Sequence, residues 1–358
     1  MIRKYFSVSV LLVVAVLLSV SVHAQNKNNS SLFDNEDILN ITLRGSLKKL
    51  LNNRSDQTPF YPISLLFSNG ENNEQSIPVE VKTRGHSRKL LNNCSYPPLL
   101  LHFINPEQLK NSMFSEQNKM KLVMPCKGDE YVVKEWLVYK LYNLFTPLSF
   151  KARLVKVKLE DDSQKPKNIP SFYGILLEEE KQLAKRNHLV AITRNTNPKN
   201  TDKETFLQMA VFEYMIGNTD WSVQYQQNIK LLAKDSVSTP FAVPYDFDNS
   251  GFVSAPYAKP AEELELPSVI ERRYRGYCIT DMMAFNETIN KFNLLKSDIY
   301  QLYTSCPLLD TKSIKQTTAF LDKFYATIND SGAWQKDFSY PCDPNGTGNV
   351  VIKGLKGN

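Results

Sequence analysis

The chain predicts an α+β fold of two lobes with a cleft between them, the first rich in strands and the second mainly helical. Three observations carry this. Period-two alternation of apolar and polar residues recurs over 37–177, as in Ile77-Pro78-Val79-Glu80-Val81-Lys82-Thr83-Arg84. Helical spacing dominates over 178–341, as at Leu207, Ala210, Val211 and Tyr214. The acidic triplet Glu178-Glu179-Glu180 marks the junction between the two patterns.

Residues 1–24 read as a secretory signal peptide. Arg3 and Lys4 precede an uncharged apolar run over 7–22, and Val22-His23-Ala24 supplies the small residues of a cleavage site. The run is short for a bilayer span, and nothing after it is long and apolar enough to cross. The mature chain is therefore expected to be exported (periplasmic, cell-surface or secreted), with no stable membrane insertion after cleavage. Residues 25–36 are polar and Asn-rich, a flexible leader.

In the first lobe, 63–67 is strand-like and ends at a Ser68-Asn69-Gly70 turn. Strands follow at 77–84, 99–103 and 119–124. Val133, Leu137, Leu141 and Leu144 then give 130–145 an amphipathic helical face. Residues 152–159 alternate again, 161–170 form a charged hairpin loop, and 172–177 is a strand. In the second lobe a helix over 203–216 stops at Gly217. Short apolar runs at 228–232 and 241–245 suit a strand pair. Helices are expected at 268–275, 279–296 and 312–328, and a Gly- and Asn-rich tail at 342–358. There is no internal repeat.

Residues 25–358 suffice for one large domain or two packed lobes. The net charge of +6 is mild, and no basic run carries interleaved aromatics, which argues against nucleic acid as a partner. The five cysteines, Cys94, Cys126, Cys278, Cys306 and Cys342, all follow the signal peptide. In an oxidising compartment they accommodate two disulfides and one thiol. Their wide spacing argues against zinc and leaves the pairing open, with Cys94–Cys126 and Cys306–Cys342 the expected arrangement. Sequons such as those at Asn40, Asn53 and Asn93 are no more than an Asn-rich chain produces by chance.

The chemistry points to Gly217-Asn218-Thr219-Asp220-Trp221-Ser222, then Asn228, then Tyr245-Asp246-Phe247-Asp248. Phosphoryl transfer asks for a carboxylate that orients the attacking hydroxyl, a divalent cation held by oxygens, and cations on the phosphates. Asp220 follows a helix, Asn228 offers a neutral oxygen, and Asp246 follows an apolar strand. Hard cations such as Mg²⁺ take this oxygen set. Other chemistries fare worse. His86, His102 and His188 lie in no G-x-S-x-G or H-E-x-x-H context. A glycosidase would need Glu178–Glu180 to work with Asp220. The main rival is a binding protein, because Asp246-Phe247-Asp248-Asn249-Ser250-Gly251 is acidic enough for Ca²⁺ although it is no EF-hand loop.

In their order these segments resemble the active-site region of the spore coat protein H (CotH) family of atypical secreted kinases. More distantly they resemble the Asp…Asn…Asp loops of persistence-toxin and phosphoinositide kinases. Upstream, Val81-Lys82-Thr83-Arg84-Gly85-His86-Ser87 is similar to that family's strand ending in Arg-Gly-x-Ser. Tyr173-Gly174-Ile175-Leu176-Leu177, running to Glu180, is similar to its Tyr-Gly-x-Tyr-Leu-Leu-x-Glu strand. The resemblance covers 78–256.

It implies a two-lobed atypical protein-kinase-like fold, with a strand-rich lobe over 37–177 and a helical lobe over 178–341. It also implies transfer of the γ-phosphoryl group of ATP to a protein Ser or Thr hydroxyl with Mg²⁺ or Mn²⁺. Asp220 would be the catalytic carboxylate. Asn228 and Asp246 would hold the metal, with Asp248 assisting or closing the loop. Arg84 and Ser87 would contact phosphate. Lys121, with Lys119 as competitor, would grip the nucleotide phosphates in an ion pair with Glu135.

Some features depart from the pattern. The interval from Asp220 to Asn228 is longer than in ordinary protein kinases, and Ser222 stands where related loops carry His. There is no G-x-G-x-x-G and no Walker loop. The alternative implied is a kinase-fold protein without activity that keeps the metal site and serves in envelope or surface assembly.

Overall fold

The protein is described from a computed structural model covering residues 31–55, 57–68, 74–85, 87–89, 94–162, 170–340 and 342. The expected signal peptide, most of the leader, Asn69-Gly70, His86, the Asn93 sequon, residues 163–169 and the tail beyond 342 lie outside the described residues.

The first strand, β1 (Leu39–Gly45), turns Leu39, Ile41 and Leu43 inward while Asn40 and Arg44 stay exposed. This alternation makes one face apolar, and that face must find a core. The strands that follow are β2 (Tyr61–Ser68), β3 (Glu74–Thr83), β4 (Leu99–His102), β5 (Lys119–Val123), β6 (Ala152–Asp161) and β7 (Phe172–Leu177). They form a closed seven-stranded barrel in the order β1-β2-β3-β4-β5-β7-β6. β1 pairs antiparallel with β2 and parallel with β6, in register from Leu39↔Val155 to Gly45↔Asp161. Leu43, Leu65, Val81, Leu101, Leu122, Val157 and Leu176 fill its interior.

The barrel corrects the predicted fold class. A two-lobed kinase-like arrangement needs an open strand-rich lobe facing a helical lobe, whereas here the sheet has no open edge. β1, absent from the sequence reading, closes it by bonding on both sides.

Most of the other described helices and strands build a second core on the outer face of β6 and β7. In those strands Val155 and Leu176 point into the barrel, while Leu154 and Leu177 point out. Both strands are thus buried on two faces at these positions, which suits the continuous run Gly174–Leu177 of β7, whereas β6 alternates from Val155 to Leu159. A short helix, α1 (Leu47–Asn52), and a single turn, α2 (Pro106–Leu109), cap barrel connections. α3 (Asp129–Asn143) packs on β6 and β7. Next come α4 (Glu180–Arg186), β8 (Val190–Ile192) and α5 (Lys203–Ile216). From Phe206 to Ile216 every residue of α5 is buried, so it is a central helix and not an amphipathic surface one. β9 (Ile229–Ala233) and β10 (Phe241–Pro244) complete a three-stranded sheet in the order β10-β9-β8. α6 (Asn286–Leu294), α7 (Lys296–Thr304), α8 (Thr311–Ile328) and α9 (Ser331–Phe338) enclose the far side.

The helix predicted over 268–275 is an irregular strap. Arg272 donates to the backbone oxygens of Met215 (3.1 Å) and Phe320 (2.6 Å), and its guanidinium lies 3.6 Å from the centre of the Phe320 ring. The Met215 carbonyl ends α5 without a helical partner, so the strap supplies its hydrogen bond. The helix predicted over 279–296 is a 3₁₀ turn, Met282–Phe285, followed by α6.

Disulfides join Cys94 to Cys126 and Cys278 to Cys342, with Cα separations of 4.3 and 4.9 Å. Cys306 is the free, half-buried thiol, which corrects the expected Cys306–Cys342 pair. α9 ends against the strap, where Phe338 packs on Tyr274 at 5.2 Å between ring centres, and this brings Cys342 to Cys278. Two disulfides are compatible with an exported protein. Among the described residues no helix is long and apolar enough to cross a membrane.

Candidate functional site

α5 begins with the Asp202 carboxylate accepting the Thr205 N–H at 3.0 Å. It ends at Gly217, whose φ of 69° is left-handed and where a Cβ would meet the Val269 carbonyl oxygen at 2.7 Å. The N–H groups of Gly217 and Asn218 donate to the carbonyls of Tyr214 and Glu213, a Schellman termination. The chain therefore leaves α5 in one direction. The Asn218 side-chain oxygen then accepts the Asp220 N–H at 3.0 Å. The Thr219 hydroxyl accepts the Ala261 N–H, and its carbonyl accepts from Arg275.

Asp220 is half-buried and heavily bonded. Its Oδ2 accepts from Asn249 at 2.8 Å and Asn228 at 3.2 Å, and its Oδ1 accepts from Gln227. The Asn228 amide also donates to the Asp220 backbone oxygen at 2.6 Å. The long interval between Asp220 and Asn228 is taken up by a tight hairpin. Ser222 and Gln227 exchange both backbone bonds, and Gln226 and Asn228 have positive φ. The Tyr245 N–H donates to the Asn228 carbonyl at 3.0 Å, setting the third predicted segment beside the second.

Asp246 has a left-handed φ of 66°, and its N–H donates to the Tyr139 hydroxyl of α3 at 2.9 Å. The buried Phe247 ring, 4.9 Å from that of Tyr139, anchors the loop. Asp248 is buried, bonded to Tyr257 and to the Arg88 guanidinium at 3.2 Å. Arg88 also donates to the Met124 carbonyl at 2.7 Å and lies 3.8 Å from Glu135.

The electrostatics centre on Asp246, whose charge acts on Asp220, Asp248, Glu135, Arg88 and Lys121 alike. Burial raises the Asp220 carboxyl and Asp246 adds to the rise, against the three amides that stabilise its charge. Burial raises Asp248 too, helped by Asp246 and opposed by Arg88. Glu135 is pushed well up by burial and by Asp248. Burial disfavours the Arg88 cation, but Asp248, Tyr257, Glu135 and Asp246 outweigh it and hold the guanidinium charged. Lys121 is pushed down to about 8 by burial and by Arg84, with Asp246 opposing.

Asp220, Asn228 and the Asp246–Asp248 loop are thus brought together. Lys121 on β5 places its ammonium 4.4 Å from the centre of the Tyr245 ring, and Arg84 at the end of β3 is near enough for its charge to act on Lys121. Lys119 is exposed. Ser87 opens a 3₁₀ turn, Ser87–Lys89; its side chain is outside the described residues. Glu135, expected to pair with Lys121, pairs instead with Arg88, because β3 ends in a turn that carries Arg88 under the acidic loop. Glu178 is buried against Arg186 at 2.8 Å and the Lys151 N–H at 2.9 Å, a structural ion pair, and Glu180 is held by Lys230 at 3.0 Å. Sequence reasoning missed Arg88, Tyr139 and Lys230, and it named Asn249 only as part of the acidic segment and not as a partner of Asp220. Arg88 directly follows the Arg-Gly-x-Ser string and Asn249 directly follows Asp248, so adjacency to motif residues was the signal for both.

Among the described residues no group of three or more His, Cys, Asp or Glu side chains is placed to hold a metal ion. No protein-family model matches the chain, and the comparison with curated proteins finds none that is similar.

Proposed function

We propose that the Asp220–Asn228–Asp246 cluster is a phosphotransfer site that moves the γ-phosphoryl group of ATP to a protein Ser or Thr hydroxyl. The observation that supports this best is the bonding of one carboxylate, Asp220, to both Asn228 and Asn249. It joins the loop after α5 to the loop after β10 beside Lys121.

The donor set fits Mg²⁺ or Mn²⁺. The Asn228 amide nitrogen is turned to Asp220, so its carbonyl oxygen is the atom left for a cation, and Asp246 is near enough for its charge to act on Asp220. Mg²⁺ commonly takes one or two carboxylates and completes its shell with water and substrate phosphate, so it does not require three acidic side chains. When bound, it neutralises phosphate charge. Asp248 is held by Arg88 and Tyr257, and its role is to fix the loop.

The residues divide the remaining work. Oδ2 of Asp220 already accepts two bonds and Oδ1 accepts one, so Oδ1 keeps an acceptor position for the substrate hydroxyl. The hydroxyl oxygen bonds to phosphorus as the bond to the departing diphosphate breaks, and its proton passes to Asp220. A carboxyl raised by burial suits that acceptance. Lys121 and Arg84 bear on the phosphates. The motif order supports kinship with the spore coat protein H family on the strength of the site, not of the fold.

The test is transfer of labelled γ-phosphate by the disulfide-intact protein to itself or to Ser/Thr peptides with Mg²⁺ or Mn²⁺. Asp220→Asn is expected to lower kcat by roughly 10²–10⁴-fold, the range for losing a general base. Full activity of that variant overturns the reading. Metal binding without transfer by the wild type would mark a metal-binding protein instead. The finer expectation of address, a periplasmic or secreted protein, is tested by fractionating cells that express the full chain.

A further inference from the structure

Lys230 of β9 has no place in the mechanism above, yet its ammonium shares the Tyr245 ring with Lys121. The two nitrogens lie 5.7 and 4.4 Å from the ring centre. Lys230 stands on β9 two residues after Asn228, so the segment that carries the oxygen proposed for the metal also carries a cation. Arg84 stands close enough to act on both Lys121 and Tyr245. Two cations, from β5 and β9, therefore meet over one half-buried aromatic face, with the charge of Arg84 just after β3 acting on the same group, and like charges repel there. The counter-charges facing them are Asp246 and Glu180, and Glu180 at the start of α4 holds Lys230 at 3.0 Å.

Opposed cations on a half-buried surface gain most from a ligand with several linked negative charges. Building on the phosphotransfer reading, we propose that Lys230, Lys121 and Arg84 form a subsite for a linear polyphosphate chain over Tyr245. Glu180 is its resident counter-ion, displaced from Lys230 when the chain binds. The same chemistry is offered by the triphosphate of a nucleotide and by inorganic polyphosphate, and the arms of the test separate them.

Binding of ATP and of inorganic tripolyphosphate is measured by calorimetry on the wild type, Lys230→Gln, Lys230→Arg and Glu180→Gln, each checked for an unchanged melting temperature. The expected result is a loss of at least about tenfold in affinity for Lys230→Gln and rescue by Lys230→Arg. Glu180→Gln is expected to tighten binding severalfold, because Lys230 is then released. Gain of binding on removing an acidic residue is an effect that a purely structural role does not produce. Tight tripolyphosphate binding assigns the subsite to the phosphate chain alone. Binding of ATP only, still dependent on Lys230, assigns it to a nucleotide.

Unchanged affinities in Lys230→Gln and Glu180→Gln, or weaker binding in Glu180→Gln, overturn the proposal. Its failure is distinct from failure of the phosphotransfer reading. Transfer together with unchanged ATP and tripolyphosphate affinity in Lys230→Gln sinks only the subsite, whereas Lys230-dependent binding without any transfer sinks only the reaction.

Discussion

The side-chain nitrogen of Asn249 lies 2.8 Å from Oδ2 of Asp220. That bond is the direct tie between the acidic loop after β10 and the carboxylate after α5. It also fixes which oxygen of Asp220 is occupied and which can accept from a substrate.

Asn249→Ala removes a hydrogen bond to a charged acceptor, an interaction of about 1.5–3 kcal/mol. The expected outcome is a kcat lowered roughly ten- to hundredfold with little change in KM for ATP, because Asn249 positions the carboxylate without touching the nucleotide. Steady-state transfer assays read both constants. A rise in KM at constant kcat would show that Asn249 belongs to the binding surface.

Arg88→Met leaves Asp248 and Glu135 buried without their cation. The Arg88 side chain is 12% exposed and that of Glu135 only 2%, so solvent cannot replace it. Removing one partner of a buried pair costs about 3–5 kcal/mol, read as a lower denaturant midpoint. The double variant Arg88→Met, Glu135→Gln is expected to recover part of that loss. If the single variant is as stable as the wild type, the pair is not the anchor of the acidic loop.

Lys121 gives a pH dependence of known sign. Its folded-state pKa, about 8, is below the ordinary value of 10.5. Between those values the unfolded chain binds more protons than the folded one, so stability rises with pH across that window. Below pH 8 both states are protonated and the penalty is fully present. Denaturation of wild type and Lys121→Met from pH 7 to 10.5 is expected to show the rise in the wild type and its loss in the variant. Parallel curves would show that the ammonium is not disfavoured by folding.

The Cys278–Cys342 bridge spans a sequence separation of 64 and holds the chain after α9 to the Arg272 strap. Cys278→Ser is expected to cost roughly 2–4 kcal/mol, the usual range for a native disulfide. Cys306→Ser is expected to be nearly neutral. Non-reducing peptide mapping should recover Cys94 with Cys126 and Cys278 with Cys342, with Cys306 alone taking up an alkylating agent after denaturation. Recovery of a Cys306–Cys342 peptide would contradict the structure.

Several elements were legible because their signal is local. The alternation at Ile77, Val79 and Val81 marks β3, and the run before Gly217 marks α5, since each side chain's direction follows from its neighbours. The spacing of Asp220, Asn228 and Asp246 also placed three polar residues on loops flanking one strand pair. Other features depend on partners far along the chain. Leu39–Leu43 alternates as clearly as β3, yet nothing in it says that β6 is its second neighbour. Glu135 carries no mark that chooses Arg88 over Lys121. The residues at 268–275 have helical character, but Arg272 gains more from the Met215 and Phe320 carbonyls.

The sequence by itself determined which stretches become strand or helix over much of the chain and which acidic residues stand on loops. Only the tertiary structure decided that the strands close into a barrel, that Cys342 meets Cys278, and that Arg88 lies beneath Asp248. The physical reason is that local patterning states which face of a segment must be buried, whereas the identity of the covering partner is settled by packing the whole chain at once.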